Sequence, residues 1–570
     1  MKFQKLFEPK KINSLEIQNR LIVPAMVTNF SHSDNTVSEK LVAYLAARAR
    51  GGFGLIITED FAVHPLGKGF LLVPGLWSDE FIKGCATLTQ AVHREGSKIF
   101  AQIYHAGAQT HQKIIGTQPL APSAILHPAY KSMPRALTRE QIQEIIECFG
   151  LAAYRAREAG FDGVEVHGSH GYLVAQFMSP YTNKRTDEFG GDIEGRLRFP
   201  VEIIKIIRKV VGKNFPVILR LAGDERLRGG RELEETRVMA PLLEEAGYDS
   251  LHVTTATTAN MPYIVPCYYA PPALNTAYAE VVKRNVSIPV ITTGRIFDPF
   301  VAEAILRENR ADFIGMGRSS IADPDLPRKV WAGNLEDIRP CIGCLQGCVG
   351  FLQKGEPITC LANAEIGMER EMEIKSAARK KRILVAGGGP AGLEFARVAA
   401  LMGHEIVLYE KSNRLGGQLN LACVSPQKNE IAKLIRYMCT QVNKAGVKVH
   451  LGKEVTPDMA IGFDAVVVAT GGRPHMPDIP GLQEDCVKNS WDILSGAATI
   501  GKKVAVVGGG LIGCELALFL AAQSKKVTVI EMLDRIAADA LENVKFFLLP
   551  LMEGEKIKVC TQTKVISFFH

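Results

Sequence analysis

From the start of the chain to about residue 335, short apolar runs, often β-branched, alternate with longer stretches of helical period. The runs predict strands at Leu21–Val23, Gly54–Thr58, Ile99–Gln102, Gly163–His167, Val217–Leu221, Ser250–Val253, Val290–Thr293 and Phe313–Gly315. Between them, stretches such as Thr138–Ala159 and Leu233–Ala246 repeat apolar residues every three or four positions, as amphipathic helices do. Eight such β–α units predict a parallel (β/α)8 barrel. The competing arrangement, an open doubly wound sheet, usually begins with a glycine fingerprint after its first strand, and this chain does not.

The pattern breaks at residues 336–366, which hold four cysteines, and again at 367–381, GMEREMEIKSAARKK, whose charges predict a solvated linker. A new α/β region opens at Arg382. A similar one opens at Lys502: KKRILVAGGGPAG at 380–392 is echoed by GKKVAVVGGGLIG at 501–513, an internal repeat of a β–turn–α start. The predicted domains are a barrel (1–335), a cysteine segment (336–366), a linker (367–381), a first dinucleotide-binding domain (382–500) and a second (501–570). Only about seventy residues follow Gly501, too few to complete the second unit, which predicts a C-terminally truncated dinucleotide region.

Composition adds limits. At 570 residues the chain exceeds one core, and 47% apolar with 22% charged residues is ordinary for a globular protein. A net charge of +7, spread along the chain, is no nucleic-acid signature. The N-terminus has no apolar signal core and no run is long enough to span a bilayer, so a cytoplasmic location is predicted. There a tight cysteine cluster reads as metal or redox chemistry. Cys341, Cys344, Cys348 and Cys360 lie in CIGCLQGCVGFLQKGEPITC. Structural zinc usually takes two separated pairs, whereas three cysteines within eight residues and a fourth after a loop suit a 4Fe–4S cluster. The other eight cysteines are scattered.

Each glycine turn follows a strand and opens a helix. Gly387, Gly389 and Gly392 in the first copy, and Gly508, Gly510 and Gly513 in the second, take the G-x-G-x-x-G positions that bring a pyrophosphate to a helix N-terminus. Glu410 and Glu531 end the following strands, placed to accept a ribose hydroxyl. An acid there repels a 2′-phosphate, which predicts NADH over NADPH at the second turn.

Two such units in series resemble the disulfide-reductase-like flavoproteins, with FAD on the first copy and NAD(P)H on the second. Gly416, Gly417 and Gln418 match that family's flavin-side loop, and Ala469–Gly472 closes the first sheet as theirs does. In the barrel, LFEP at 6–9, NRLIVPAM at 19–26, VEVHGSHGYL at 164–173 and SPYTNKRTDEFGG at 179–191 resemble the old yellow enzyme family. With the cysteine cluster and the dinucleotide units, the likeness narrows to the branch of 2,4-dienoyl-CoA reductase, 2-enoate reductase, the bile-acid-inducible NADH:flavin oxidoreductases and trimethylamine dehydrogenase.

The resemblance implies an NADH-dependent reductase of a C=C bond conjugated to a carbonyl or carboxylate, with electrons passing from NADH through FAD and the cluster to FMN. It implies that His167 and His170 hold the substrate oxygen and that Tyr172 supplies the proton. FMN would rest on Pro24, Ala25 and Met26, Gln102, Arg220, Gly294–Arg295 and Gly317–Arg318. Two departures argue against amine oxidation: Met26 stands near where trimethylamine dehydrogenase links its flavin to a cysteine, and His167 where it has tyrosine. The stretch TTATTANMPYIVPCYYAPP has no histidine of the dienoyl-CoA type. Dienoyl-CoA reduction, amine dehydrogenation and an inactive flavin-binding protein are the alternatives. The expected partner is a small unsaturated molecule, with neither nucleic acid nor membrane, and the branch tends to form homo-oligomers.

Overall fold

The computed structural model describes residues 3–569. The chain forms two compact units. One comprises the residues up to Pro266, Pro271–Cys341 and Leu345–Met372; the other comprises Cys267–Ala270, Ile342–Cys344 and the chain from Glu373 onward.

The first unit is a closed parallel barrel of β1 (Leu21–Val23), β2 (Leu55–Ala62), β3 (Lys98–Tyr104), β4 (Gly163–Gly168), β5 (Val217–Ala222), β6 (Ser250–Thr254), β7 (Val290–Thr293) and β8 (Phe313–Gly315). Each strand pairs with the next, and β8 closes on β1 through Ile314 opposite Leu21. Side chains alternate between two environments, as strand geometry requires. Leu55 and Ile57 join Ile22, Phe100, Ile218, Ile291 and Phe313 in a small inner cluster. Ile56 instead packs in the large cluster shared with the surrounding helices. Ile12 and Ile17, from a short antiparallel pair before β1, belong to the inner cluster too. The longest covering helix, Arg139–Glu158, starts with a reciprocal cap between Thr138 and Gln141.

β2 runs beyond the predicted Gly54–Thr58. The strand is bulged: its register on β3 moves from Ile57 opposite Phe100 to Asp60 opposite Gln102. The extra residue re-aims the side chains that follow. As a result Glu59 and Asp60, which read as the end of an apolar run, stay inside the strand and are buried. The expected linker also departs from its solvated reading at its start. Glu369 pairs with the fully buried Arg48 at 3.4 Å, because that guanidinium needs a counter-charge.

The second unit holds two parallel sheets. In the first, β9 (Arg382–Ala386), β10 (Glu405–Tyr409), β11 (Lys448–His450) and β12 (Ala465–Val468) lie in the order β11-β10-β9-β12. That order reverses beside β9, and ligands bind at such switch points in open α/β sheets. In the second, β13 (Lys503–Val507), β14 (Lys526–Ile530) and β15 (Lys558–Cys560) pair in sequence. Among the described residues no helix is long and apolar enough to cross a membrane.

Candidate active site

The C-terminal ends of the barrel strands surround a cavity of about 190 Å³. Its wall carries Pro24, Ala25 and Met26 after β1, Asp60 at the bulge of β2, His167, His170 and Tyr172 after β4, and Arg220 from β5. Gly294, Arg295, Gly317 and Arg318 complete the rim after β7 and β8, where phosphates bind in this architecture. Gln102 does not line the cavity. Its Nε2 donates to Glu165 Oε1 at 2.5 Å, and Glu165 Oε2 meets His252 Nδ1 at 2.7 Å, forming a buried polar row inside the barrel.

The turn after β4 gathers His167, His170 and Tyr172. His170 sits in the left-handed region with φ 59°, unusual for a residue with a side chain. Gln109 Nε2, at 2.8 Å, and the Thr258 amide, at 3.2 Å, both donate to its carbonyl and hold that backbone. Gly171 follows with φ 80°, and a Cβ there would run into the Gln109 amide. The His167 ring stands edge-on to His170 at 5.1 Å and to Tyr172 at 4.8 Å.

His167 Nδ1 accepts from the Ser169 amide at 3.3 Å, so the neutral ring carries its proton on Nε2. His170 Nε2 shares a bond with Thr254 Oγ1 at 3.1 Å. Burial holds both imidazoles well below their ordinary pKa, and the charge of Arg220 adds to the effect. Both rings are therefore neutral. Burial, and then the Asp60 charge, pushes the Tyr172 phenol well above its ordinary value.

The flavin contacts can be tested on geometry. Arg220 donates from Nη1 to the Ala25 carbonyl at 3.1 Å, while its Nε is buried with no protein partner. Gln102 Oε1 is a buried acceptor in the same state. A Cβ at Gly317 would lie 2.8 Å from Met26 Sδ, and one at Gly294 2.5 Å from Asn275 Nδ2, so the rim admits only bare backbone. The unused Arg220 donor and a glycine-smoothed rim suit a planar, phosphate-bearing group such as FMN.

Cys348 lines the same cavity, with Val349, Leu352 and Ile358. Burial raises the thiol pKa of both Cys348 and Cys360, and the charge of Cys348 raises that of Cys360 further. Four thiols are the right donor chemistry for an iron–sulfur cluster. Among the described residues, however, no three Cys, His, Asp or Glu side chains are gathered as a metal-holding group.

In the second unit Gly387 has φ 112°, and a Cβ on Gly392 would strike the Gly387 carbonyl. The Gly416 amide donates to the Gly388 carbonyl at 2.8 Å, and a Cβ on Gly417 would lie 2.9 Å from Gly389 Cα, which sets the Gly416–Gln418 loop on the turn. Glu410 accepts from the amides of Gly388 at 2.7 Å and Ser412 at 2.8 Å. Burial alone would raise its pKa, but these bonds hold it below its ordinary value. Gly508, Gly510 and Gly513 repeat the turn, and Glu531 accepts from the Gly509 and Leu533 amides at 2.7 Å each. Asp539 was not foreseen: its Oδ1 accepts from the Leu511 amide at 2.8 Å, at the start of the helix that Gly510 opens.

Comparison with known proteins places both regions of the chain in known families. Residues 5–337 match the NADH:flavin oxidoreductase / NADH oxidase family, and residues 381–568 match pyridine nucleotide-disulphide oxidoreductases. The chain belongs to the NADH:flavin oxidoreductase / NADH oxidase family. An NADH oxidase of Thermoanaerobacter brockii is 44% identical over 94% of this chain and 84% of its own length. A cinnamate reductase of Clostridium sporogenes is 34% identical over 93% of this chain and 83% of its own. A 2-naphthoyl-CoA reductase bound to 2-naphthoyl-CoA superposes with a TM-score of 0.97 at 34% identity, covering 100% of this chain and 89% of that one. Within the family the chain falls in the 2-enoate reductase and dienoyl-CoA reductase branch of the old yellow enzymes. It is a flavin- and pyridine-nucleotide-dependent oxidoreductase.

Sequence reasoning missed Asp60, Thr254 and Asn275. Asp60 had a usable signal, a charged residue directly after an apolar strand at the catalytic end of a barrel. Thr254 had the same kind of signal, a polar residue directly after the predicted strand Ser250–Val253, whereas Asn275 lies well beyond any strand end and had none.

Proposed function

We propose that this chain reduces a carbon–carbon double bond conjugated to a carbonyl or carboxylate, with electrons from NADH. The observation that carries this reading is that two neutral imidazoles and a high-pKa phenol share one cavity wall with a buried arginine. FMN bound on Pro24–Met26, Arg220, Gly294–Arg295 and Gly317–Arg318 would supply the hydride. His167 donates from Nε2 to the substrate oxygen, and His170 stands beside it as the second donor. Both stabilise the charge that develops on that oxygen. Tyr172 keeps its proton at any physiological pH and delivers it to the α-carbon as that carbon becomes basic.

The second unit would hold FAD at Gly387, Gly389, Gly392, Glu410, Gly417 and Gln418, and NADH at Gly508, Gly510, Gly513 and Glu531. Cys341, Cys344, Cys348 and Cys360 would hold a 4Fe–4S cluster. A cytoplasmic homo-oligomer acting on a small unsaturated substrate completes the reading. Conjugated substrates are also those of the cinnamate and 2-naphthoyl-CoA reductases.

The test is an anaerobic NADH titration of the purified chain that follows flavin absorbance, then addition of cinnamate or an enone. Bleaching by NADH and recovery on alkene is the expected result. Bleaching that alkenes never reverse would overturn the reductase reading.

A further inference from the structure

Inside the barrel lies a layer of polar side chains that the reaction above leaves without a role. Phe100 on β3, Ile218 on β5 and Ile291 on β7 belong to the inner cluster. Side chains two residues further along a strand face the same way. Gln102 and Arg220 therefore also point inward, one step nearer the C-terminal ends of their strands. Glu165 on β4 stands opposite Gln102 on one side and Ile218 on the other. His252 on β6 stands opposite both Arg220 and Ile291.

Glu165 Oε2 and His252 Nδ1 meet at 2.7 Å, although β5 runs between their strands. The bond crosses β5 on its inner side, rising from the level of Ile218 to the level of Arg220. Glu165 Oε1 accepts from Gln102 Nε2 at 2.5 Å, so both carboxyl oxygens are engaged. The Glu165 and His252 side chains are 0% exposed. Arg220, on the strand that the pair crosses, is buried, lines the cavity and donates to the Ala25 carbonyl at 3.1 Å. A buried guanidinium needs an opposing charge. The acids that face it are Glu165 and Asp60.

We propose that Glu165 is a fixed counter-charge beneath the flavin site, held by His252 and Gln102, which sets the reduction potential of the flavin by offsetting Arg220. The proposal rests on FMN binding in this cavity.

A flavin gains negative charge on reduction. A cation at the wall of its site favours the reduced form, and an anion beside that cation opposes it. His252 decides where that anion sits. Burial holds its imidazole below the ordinary value, with Glu165 opposing the shift. The neutral ring donates from Nδ1 to the carboxylate and adds no second positive charge. Glu165 and His252 line no part of the cavity and act through Arg220, as positioning residues.

The experiment is a redox titration of the FMN-loaded full chain at about pH 6, with dithionite and reference dyes, followed by flavin absorbance. Burial pushes Asp60 up to about 7, so at that pH it is mostly neutral and Glu165 is the acid that counts. Glu165→Gln keeps the shape and removes the charge. It should favour reduced FMN by about tenfold or more, an upward shift of about 30 mV for a two-electron couple. His252→Gln, which keeps a donor for the carboxylate, should stay within about threefold of the wild type. His252→Leu frees the carboxylate to close on Arg220 and should disfavour reduced FMN by more than that. It carries the test if Glu165→Gln does not hold FMN. FAD on the second unit serves as an internal reference and should not move.

An unchanged or lowered potential in Glu165→Gln overturns the proposal. So does a shift in His252→Gln as large as that in His252→Leu. Either result leaves alkene reduction standing. A wild type that holds FMN but reduces no alkene sinks the reductase reading alone, because the potentials are measured without substrate. A wild type that takes up no FMN ends the flavin reading of the cavity and the proposal with it.

Discussion

Buried carboxylates are shifted in opposite directions in the two units. In the barrel, Glu59 and Asp60 lie under full burial, which pushes their pKa values up to about 8 and about 7. Glu59 accepts from Thr28, through its amide at 3.0 Å and its hydroxyl, and that does not offset desolvation. At the first glycine turn, Glu410 accepts from two amides and the Ser412 hydroxyl, and is held below its ordinary value. The balance between desolvation and donor count decides each case. One environment favours the protonated acid. The other holds an anion on backbone amides.

If that division holds, variants in the barrel should damage only the alkene half of the reaction. Tyr172→Phe should slow reoxidation of reduced flavin by alkene by about 10²- to 10⁴-fold, the usual range for a lost general acid. Reduction by NADH should keep its wild-type rate in the same stopped-flow traces, and a loss in both halves would break the comparison. His167→Ala, which removes one of two neutral donors, should cost about 10²- to 10³-fold in the alkene half-reaction. Its penalty should be flat with pH, because the imidazole is already neutral throughout.

Much of this was legible before the fold, for identifiable reasons. All eight barrel strands read as apolar runs because parallel strands are buried on both faces. Their ends were less legible where the barrel tolerates charge. β2 was cut at Thr58 because Glu59 and Asp60 look like solvent-facing residues, and only the bulge shows them buried. His167, His170 and Tyr172 were legible because one short motif carries all three. Gln102 was placed correctly on its strand, but the pull of Glu165 on its amide could not be read from spacing. Asp539 was invisible for a similar reason: the helix start it caps lies 28 residues earlier in the chain.

The protonated acids of the barrel also carry a stability signature. Glu59 has a folded pKa raised from 4.5 to about 8. The folded state therefore holds a proton that the unfolded chain has already lost across this range. The stabilisation is full below about pH 4.5 and is lost as pH rises through about 8. Thermal midpoints of the wild type should fall over that interval, by the equivalent of about 5 kcal/mol at most. Glu59→Gln keeps an acceptor for the Thr28 amide but does not titrate. It should flatten the curve and exceed the wild type in stability above about pH 8. A variant that follows the wild-type slope would mean that another group carries it.

The smallest effect should come from the difference between the two glycine turns. At the first, a Cβ on Gly389 would meet only Gly417 Cα, so the start of the helix faces backbone. At the second, the Asp539 carboxylate already accepts the Leu511 amide, and a Cβ on Gly510 would meet both of its oxygens at 3.4 Å. A pyrophosphate drawn to that helix start would meet a charge of its own sign. A carboxylate at such a position is worth about 0.3–1 kcal/mol to the helix. Asp539→Asn, which keeps the acceptor and removes the charge, should therefore tighten NADH binding by about two- to fivefold in a fluorescence titration at low salt, with a smaller gain at high salt. FAD retention at the first turn should not change. Weaker NADH binding in Asp539→Asn would instead place the dinucleotide away from this helix start, and the likeness of the two turns would then stop at the backbone.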